Sequence, residues 1–133
     1  MNEAKITFYS KDLKSVTIIC EIAKNLRDKM KGLMNRISLP EDRGMLFPFL
    51  IPGHRLFWMK NVIIPLDIIF INRKLEIIFI HEAPVENGFF HKIYWSHGFC
   101  KYVVETNMGF CKKNNILKGT KIVTNYFKNK KED

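Results

Sequence analysis

Short apolar runs separated by turn residues constrain the fold of this chain more than any other feature of its sequence. The runs are rich in β-branched and aromatic residues, a composition that favours strands. No segment between them resembles the long helix that connects neighbouring parallel strands, which argues against a doubly wound α/β fold. The clearest runs are Val16–Ala23, Met45–Phe49, Leu56–Met59, Leu66–Ile71, Leu75–Ile80, Lys101–Thr106 and Thr120–Phe127. About eight short strands at this spacing predict a mainly β fold, a single compact antiparallel β-sandwich or barrel with one or two short helices.

Helical spacing is confined to two short segments. Asn25 can cap a first helix, with Asp28 at its third position, and Gly32 or Asn35 can end it. Residues 107–115 predict one or two further helical turns. The segment Asn72–Lys74 is short enough to be the loop of a β-hairpin.

The length and composition indicate one domain. The chain has 133 residues, of which 47% are hydrophobic and 13% aromatic, enough to fill a single core. We expect an N-terminal segment at residues 1–15, a β-rich domain at residues 16–127 and a basic C-terminal tail at residues 128–133.

The positive charge carries little functional information. The formal net charge is +9, but residues 35–83 hold six basic and five acidic groups, so the middle of the chain is nearly neutral. The basic excess lies towards the ends, and a basic tail gives only weak, salt-sensitive attraction to nucleic acid or anionic lipid. The sequence therefore gives no strong nucleic-acid signal and leaves an unknown small ligand or protein as the expected partner.

The metal-ligating residue types show no metal-site spacing. Cys20, Cys100 and Cys111 are odd in number and include no CxxC pair, so we expect three reduced thiols, with Cys20 in the core. The histidines lack HxH or HExxH spacing. We expect no metal and no cofactor.

Charged residues near the N-terminus indicate the cellular compartment in which we expect the protein. Lys5, Lys11, Asp12 and Lys14 interrupt any apolar signal-peptide core within the first twenty residues. The uncharged stretch Gly44–Gly53 is too short to span a bilayer. The sequence as written predicts a cytoplasmic protein, with export as the alternative if a signal precedes it.

One group of residues could form a binding or catalytic site. Residues 57–60 and 67–70 can pair as a hairpin that sets Lys60 opposite Asp67 beside Trp58, since opposite charges attract across antiparallel strands. The pair either fixes the strand register or forms a pocket with an exposed Trp58. Arg43 either contacts a neighbouring carboxylate such as Glu105 or clamps an anionic ligand.

These residues predict a candidate binding rim. We therefore expect the chain to be a ligand-binding or accessory module. The alternative is a small hydrolase or lyase, in which Asp67 or His97 acts as base and Lys60 or Arg43 stabilises an anion. Non-specific nucleic-acid binding is a weaker alternative. The aromatic segment Tyr94–His97 either lines a groove or forms a lid. The candidate rim residues are Arg43, Trp58, Lys60, Asn61 and Asp67.

Four ordered blocks resemble the signature of domain-of-unknown-function family 192. They are Lys31–Met34, Leu39–Phe47, Phe57–Asn61 and Ile64–Phe70, and Val104, Glu105, Gly109, Ile116 and Gly119 fit the closing block. The resemblance covers residues 16 to 123, with Val62 where the family usually has Thr and Val104 where it usually has Leu. It implies a compact, mainly β domain without assigned activity, and it supplies no catalytic residues. Many members resemble exported proteins.

Overall fold

A computed structural model describes residues 2–127, in which nine strands and two short helices follow one another along the chain. In chain order they are β1 (Glu3–Tyr9), β2 (Ser15–Ile22), α1 (Leu26–Lys31), β3 (Arg43–Gly53), β4 (Leu56–Phe57), β5 (Leu66–Ile71), β6 (Ile77–Ala83), β7 (Tyr94–Trp95), β8 (Cys100–Asn107), α2 (Phe110–Lys113) and β9 (Lys121–Thr124). The predicted segment 1–15 contributes β1, and the predicted tail at 128–133 lies outside the described residues.

Seven strands form one curled sheet in the order β6-β5-β8-β3-β2-β1-β9, and β4 and β7 form a separate two-stranded ribbon. The curl brings the two ends of the sheet together. The backbone N–H of Ile77 donates to Thr120 O at 2.9 Å, and Glu76 makes an isolated bridge to Lys121. The sheet is a curled half-barrel whose two ends are bridged at this point. The prediction of a mainly β fold with short helices is confirmed.

One strand pair is parallel, which the antiparallel prediction did not include. β2 and β3 run side by side in the same direction, with Ile19 opposite Arg43. The connection between them, residues 23–42, contains α1 and irregular chain on both sides of it. A six-residue helix with irregular flanks therefore serves as the crossover that parallel neighbours require.

The sheet buries apolar residues on both of its faces. Along β5 all six residues are buried: Ile69 and Ile71 face a first core, and Leu66, Ile68 and Phe70 face a second. This alternation follows from the two-residue period of strands. The first core includes α2 residues, and the second includes Leu33, next to α1, and Tyr94 of β7.

The local structure agrees with the turn and cap residues. The Asn25 side chain accepts a hydrogen bond from Asp28 N at 2.8 Å, and α1 ends at Gly32, whose φ is +49°. The Asn72 side chain accepts from Lys74 N and Glu76 N in the loop between β5 and β6. The predicted cap and hairpin loop are both confirmed.

The predicted pairing of residues 57–60 with 67–70 is wrong. β4 pairs with β7, and β5 pairs with β6 and β8, so Asp67 stands opposite Glu82 and Thr106. A strand that is apolar on both faces is buried most fully between two others, and this outweighs one favourable charge pair.

No helix within residues 2–127 is long and apolar enough to cross a membrane.

Candidate functional site

A cavity of about 430 Å³ opens between α1, β3, β4 and the loop that follows β4. Its volume lies within the range of small-molecule sites, roughly 300–1,000 Å³. We call it the groove. It is lined by Leu26, Lys29, Met30, Lys31, Gly32, Leu33, Met34, Phe47, Phe49, Arg55, Leu56, Phe57, Trp58, Val62, Ile93 and Glu105.

The strand period and one glycine build the floor of the groove. Phe47 of β3 and Glu105 of β8 lie on the sheet face that carries the second core. Gly32 lets the end of α1 pass close above them. A Cβ at this position would lie 3.4 Å from Phe47 Cζ and 3.8 Å from Glu105 Oε1, and the positive φ independently favours glycine.

Glu105 is the buried carboxyl group of the groove. It is 4% exposed, and its strand neighbours across the sheet are Met45 and Ile68, both apolar. Among residues 2–127, no side chain or backbone group forms a hydrogen bond or an ion pair with its carboxyl group. Burial raises the pKa of Glu105 to about 8, so the group is largely protonated at neutral pH.

Two cations lie over one aromatic ring at the side of the groove. Arg55 Cζ is 4.2 Å and Lys29 Nζ 5.5 Å from the centroid of Phe49. Lys29 Nζ donates to Lys24 O at 2.6 Å, and Arg55 Nη2 donates to Ile51 O. The pKa of Lys29 is lowered, mainly by burial and further by the charge of Arg55, while Asp28 acts in the opposite direction.

The five predicted rim residues do not form one site. Trp58 lines the groove, and Lys60 Nζ lies 5.4 Å from the centroid of its ring. Asn61 has a φ of +61°, and its carbonyl accepts from Asn35 N at 2.8 Å, so it makes a turn. Arg43 contacts Glu3 at 3.1 Å and not Glu105, which corrects that part of the expectation.

Asp67 serves the scaffold in this arrangement. It is 1% exposed and accepts hydrogen bonds from Gly109 N at 3.3 Å and Cys111 N at 3.0 Å. Burial raises its pKa, although both backbone hydrogen bonds act to lower it. The predicted partner Lys60 is replaced by the first amides of α2, and this part of the prediction is wrong.

The aromatic segment Tyr94–His97 is divided between core and surface. Tyr94 is buried in the second core, whereas Trp95 is half exposed. The ring of His97 packs 4.3 Å from that of Phe79. His97 and Asp67, the two bases of the enzymatic alternative, are held by separate sets of neighbours.

Three lining residues were not predicted from the sequence, Lys29, Phe49 and Arg55, and Glu105 was expected as a partner of Arg43. The available signal was the position of Glu105 within an apolar strand, where the two-residue period directs it to the core face. Within the described part of the chain, no group of three or more His, Cys, Asp or Glu residues could hold a metal ion.

Comparisons with known proteins agree on the family and the fold. The model of domain-of-unknown-function family 192, described as "Uncharacterized ACR", matches residues 8–124. A crystal structure of a "putative transcription regulator" from Sinorhizobium meliloti 1021 is similar at a TM-score of 0.85 and 29% identity, covering 92% of this chain and 93% of that one. A protein of unknown function from Novosphingobium aromaticivorans DSM 12444 gives a TM-score of 0.83 and 28% identity, covering 90% and 83%. Among curated proteins there is no match.

Proposed function

This chain belongs to domain-of-unknown-function family 192, and from that premise we propose that it is a binding module whose groove takes a small, largely apolar ligand. The lining supports this, because aliphatic and aromatic side chains surround a few polar groups, the usual composition of a ligand site. Leu26 and Met30 are 74% and 66% exposed beside it. Helix α1 buries none of its own residues and so leaves these side chains available to a ligand.

Glu105 is the single observation that carries the proposal. Polar groups that are nearly buried in native proteins usually have a hydrogen-bond partner, and Glu105 is 4% exposed. Glu105 lines the groove without a partner among residues 2–127. A ligand with a hydrogen-bonding group at its inner end would supply that partner.

Acid–base catalysis at the same residue is a second candidate function. A carboxyl group whose pKa is raised to about 8 can both donate and accept a proton near neutral pH. Glu105 is better suited to this than Asp67, which is engaged by two backbone amides. Turnover that disappears in Glu105→Gln while ligand affinity persists would favour this second candidate.

The proposal also includes a small molecule as the partner and the cytoplasm as the compartment. The described residues place three free, buried thiols in the chain, as is usual for proteins of reducing compartments. The predicted basic tail, which carried the weak nucleic-acid alternative, lies outside the described residues.

A neutral apolar dye tests the groove directly. Nile red fluorescence should rise when the dye is added to the protein. The double variant Leu26→Ser/Met30→Ser should weaken dye binding about tenfold, because it removes apolar contact area worth roughly 1–2 kcal/mol.

Leu13→Ser/Ile37→Ser is the matched control, since both residues are exposed and neither lines the groove. Its dye affinity should stay within twofold of wild type. Equal losses in the two double variants would place the dye elsewhere and remove the support for a groove ligand.

A further inference from the structure

Resting on the proposed function, we infer that the ligand is an amphipathic anion, whose oxyanion group binds Lys29 and Arg55 while its apolar body fills the groove towards Glu105. A carboxylate and a phosphate share this chemistry. Both cations line the groove with Glu105, so one molecule can reach the two polar regions.

Among residues 2–127, Lys29 and Arg55 lie near one aromatic ring without a carboxylate counterion. Neither Lys29 nor Arg55 has a carboxylate oxygen within 4.0 Å in the part of the chain described. Lys29 Nζ lies 5.5 Å and Arg55 Cζ 4.2 Å from the centroid of the Phe49 ring, and the charge of Arg55 opposes protonation of Lys29. A bound anion would offset this repulsion.

The guanidinium of Arg55 is fixed in its orientation. Its Nε is buried and has no hydrogen-bond partner among residues 2–127. Its guanidinium packs so closely over Gly53 that a Cβ there would lie 2.8 Å from Nη1. The Ile51 carbonyl, Gly53 and the Phe49 ring hold the guanidinium in place, so its positive charge is fixed beside the groove and can attract an oxyanion.

The groove lining carries a net positive charge. Among residues 2–127, its charged side chains are Lys29 and Lys31 from α1 and Arg55 from the chain before β4, all basic. Glu105 is the acidic residue of this part of the lining, and its burial keeps it largely protonated at neutral pH and able to donate to a ligand oxygen. The lining therefore attracts an anion and repels an ammonium ion.

Isothermal titration with three ligands of equal chain length tests the inference: decanoate, decan-1-ol and decylammonium, each below its aggregation concentration. Decanoate should bind at least about tenfold more tightly than decanol, and decylammonium should bind most weakly. Lys29→Gln/Arg55→Gln should remove most of the preference for decanoate while decanol affinity stays near wild type.

Lys11→Gln/Lys118→Gln changes the net charge equally at two exposed positions outside the groove and should leave every affinity within about twofold. Arg55→Lys keeps the positive charge and should retain part of the preference for decanoate. This variant tests the inference even if the double variant fails to fold. Decyl phosphate in place of decanoate distinguishes the two oxyanions.

The outcomes separate the two proposals. If decanol binds as well as decanoate, or decylammonium binds better, the anion inference is overturned and the apolar groove remains. If no decyl compound and no Nile red binds, the proposed function itself fails. The protein could instead sediment with phosphatidylglycerol vesicles and fail to bind monomeric decanoate. That result would identify a lipid surface as the partner and would also overturn the inference.

Discussion

At the scale of single residues, Glu105 links stability to pH. Its pKa is about 8 in the folded state, well above the ordinary glutamate value of 4.5, so the folded state holds a proton that the unfolded state releases. Stability is therefore highest below the unfolded pKa and falls as the pH rises from about 4.5 to about 8, by roughly 1.4 kcal/mol per pH unit at most.

We predict that Glu105→Gln is more stable than wild type at pH 7, by up to about 3 kcal/mol, and that the difference shrinks to less than about 1 kcal/mol at pH 5. The amide is neutral at every pH, so its unfolding free energy lacks the fall between the two values. Urea denaturation at both pH values measures this difference.

Glu41→Gln is the control, because the Glu41 side chain is 88% exposed. Its stability should follow that of wild type at both pH values. A pH-independent difference between Glu105→Gln and wild type would contradict a raised pKa.

At the scale of secondary-structure elements, Asp67 ties α2 to β5. Its carboxylate accepts from the backbone N–H groups of Gly109 and Cys111 at the start of the helix. We predict that Asp67→Ala lowers the unfolding free energy by about 2–4 kcal/mol, because one buried and one part-buried donor lose their acceptor. Asp67→Asn should lose less, since an amide oxygen can still accept. Denaturant midpoints measure both changes.

Lys60 separates this explanation from the hairpin expected from the sequence. Lys60→Met should change stability by less than about 0.5 kcal/mol, and adding it to Asp67→Ala should leave the loss unchanged, because Lys60 is not among the groups that act on Asp67 and sites without shared partners are additive. Rescue of Asp67→Ala by Lys60→Met would mean that the two residues form a buried pair after all.

The sequence predicted elements better than it predicted how they pair. Residues 66–71 form β5 as expected, and Asn25 caps α1 as expected, because alternating burial and capping depend on local residue order. The parallel pair β2–β3 depends on how residues 23–42 return along the sheet, which no local pattern specifies. The groove depends on the same return, because α1 lies in that segment, and of the predicted rim only Trp58 lines it.

At the scale of the whole molecule, the two cores protect the thiols. Cys20 and Cys111 lie in the first core and Cys100 in the second, and all three are free. Burial raises the pKa of Cys100 to about 11 and raises those of Cys20 and Cys111 as well, so each thiolate is scarce at neutral pH.

We predict that iodoacetamide modifies none of the three cysteines of the native protein at a rate above that of global unfolding. After denaturation without reductant, all three should be alkylated, and mass spectrometry counts them. A Cys100–Cys111 disulfide would contradict the structure, in which these residues lie on opposite faces of the sheet, and would favour an oxidising compartment.

The position of β9 has a consequence for synthesis on the ribosome. This strand pairs with β1, which is synthesised well before it, and its preceding turn contacts the chain at Ile77. Until residues 119–124 leave the exit tunnel, the hydrogen-bonding groups along that side of β1 have no strand to pair with. A nascent chain in this state carries an open strand edge, which invites pairing with other chains. Emergence of β9 from the ribosome is therefore the step that covers this edge of β1.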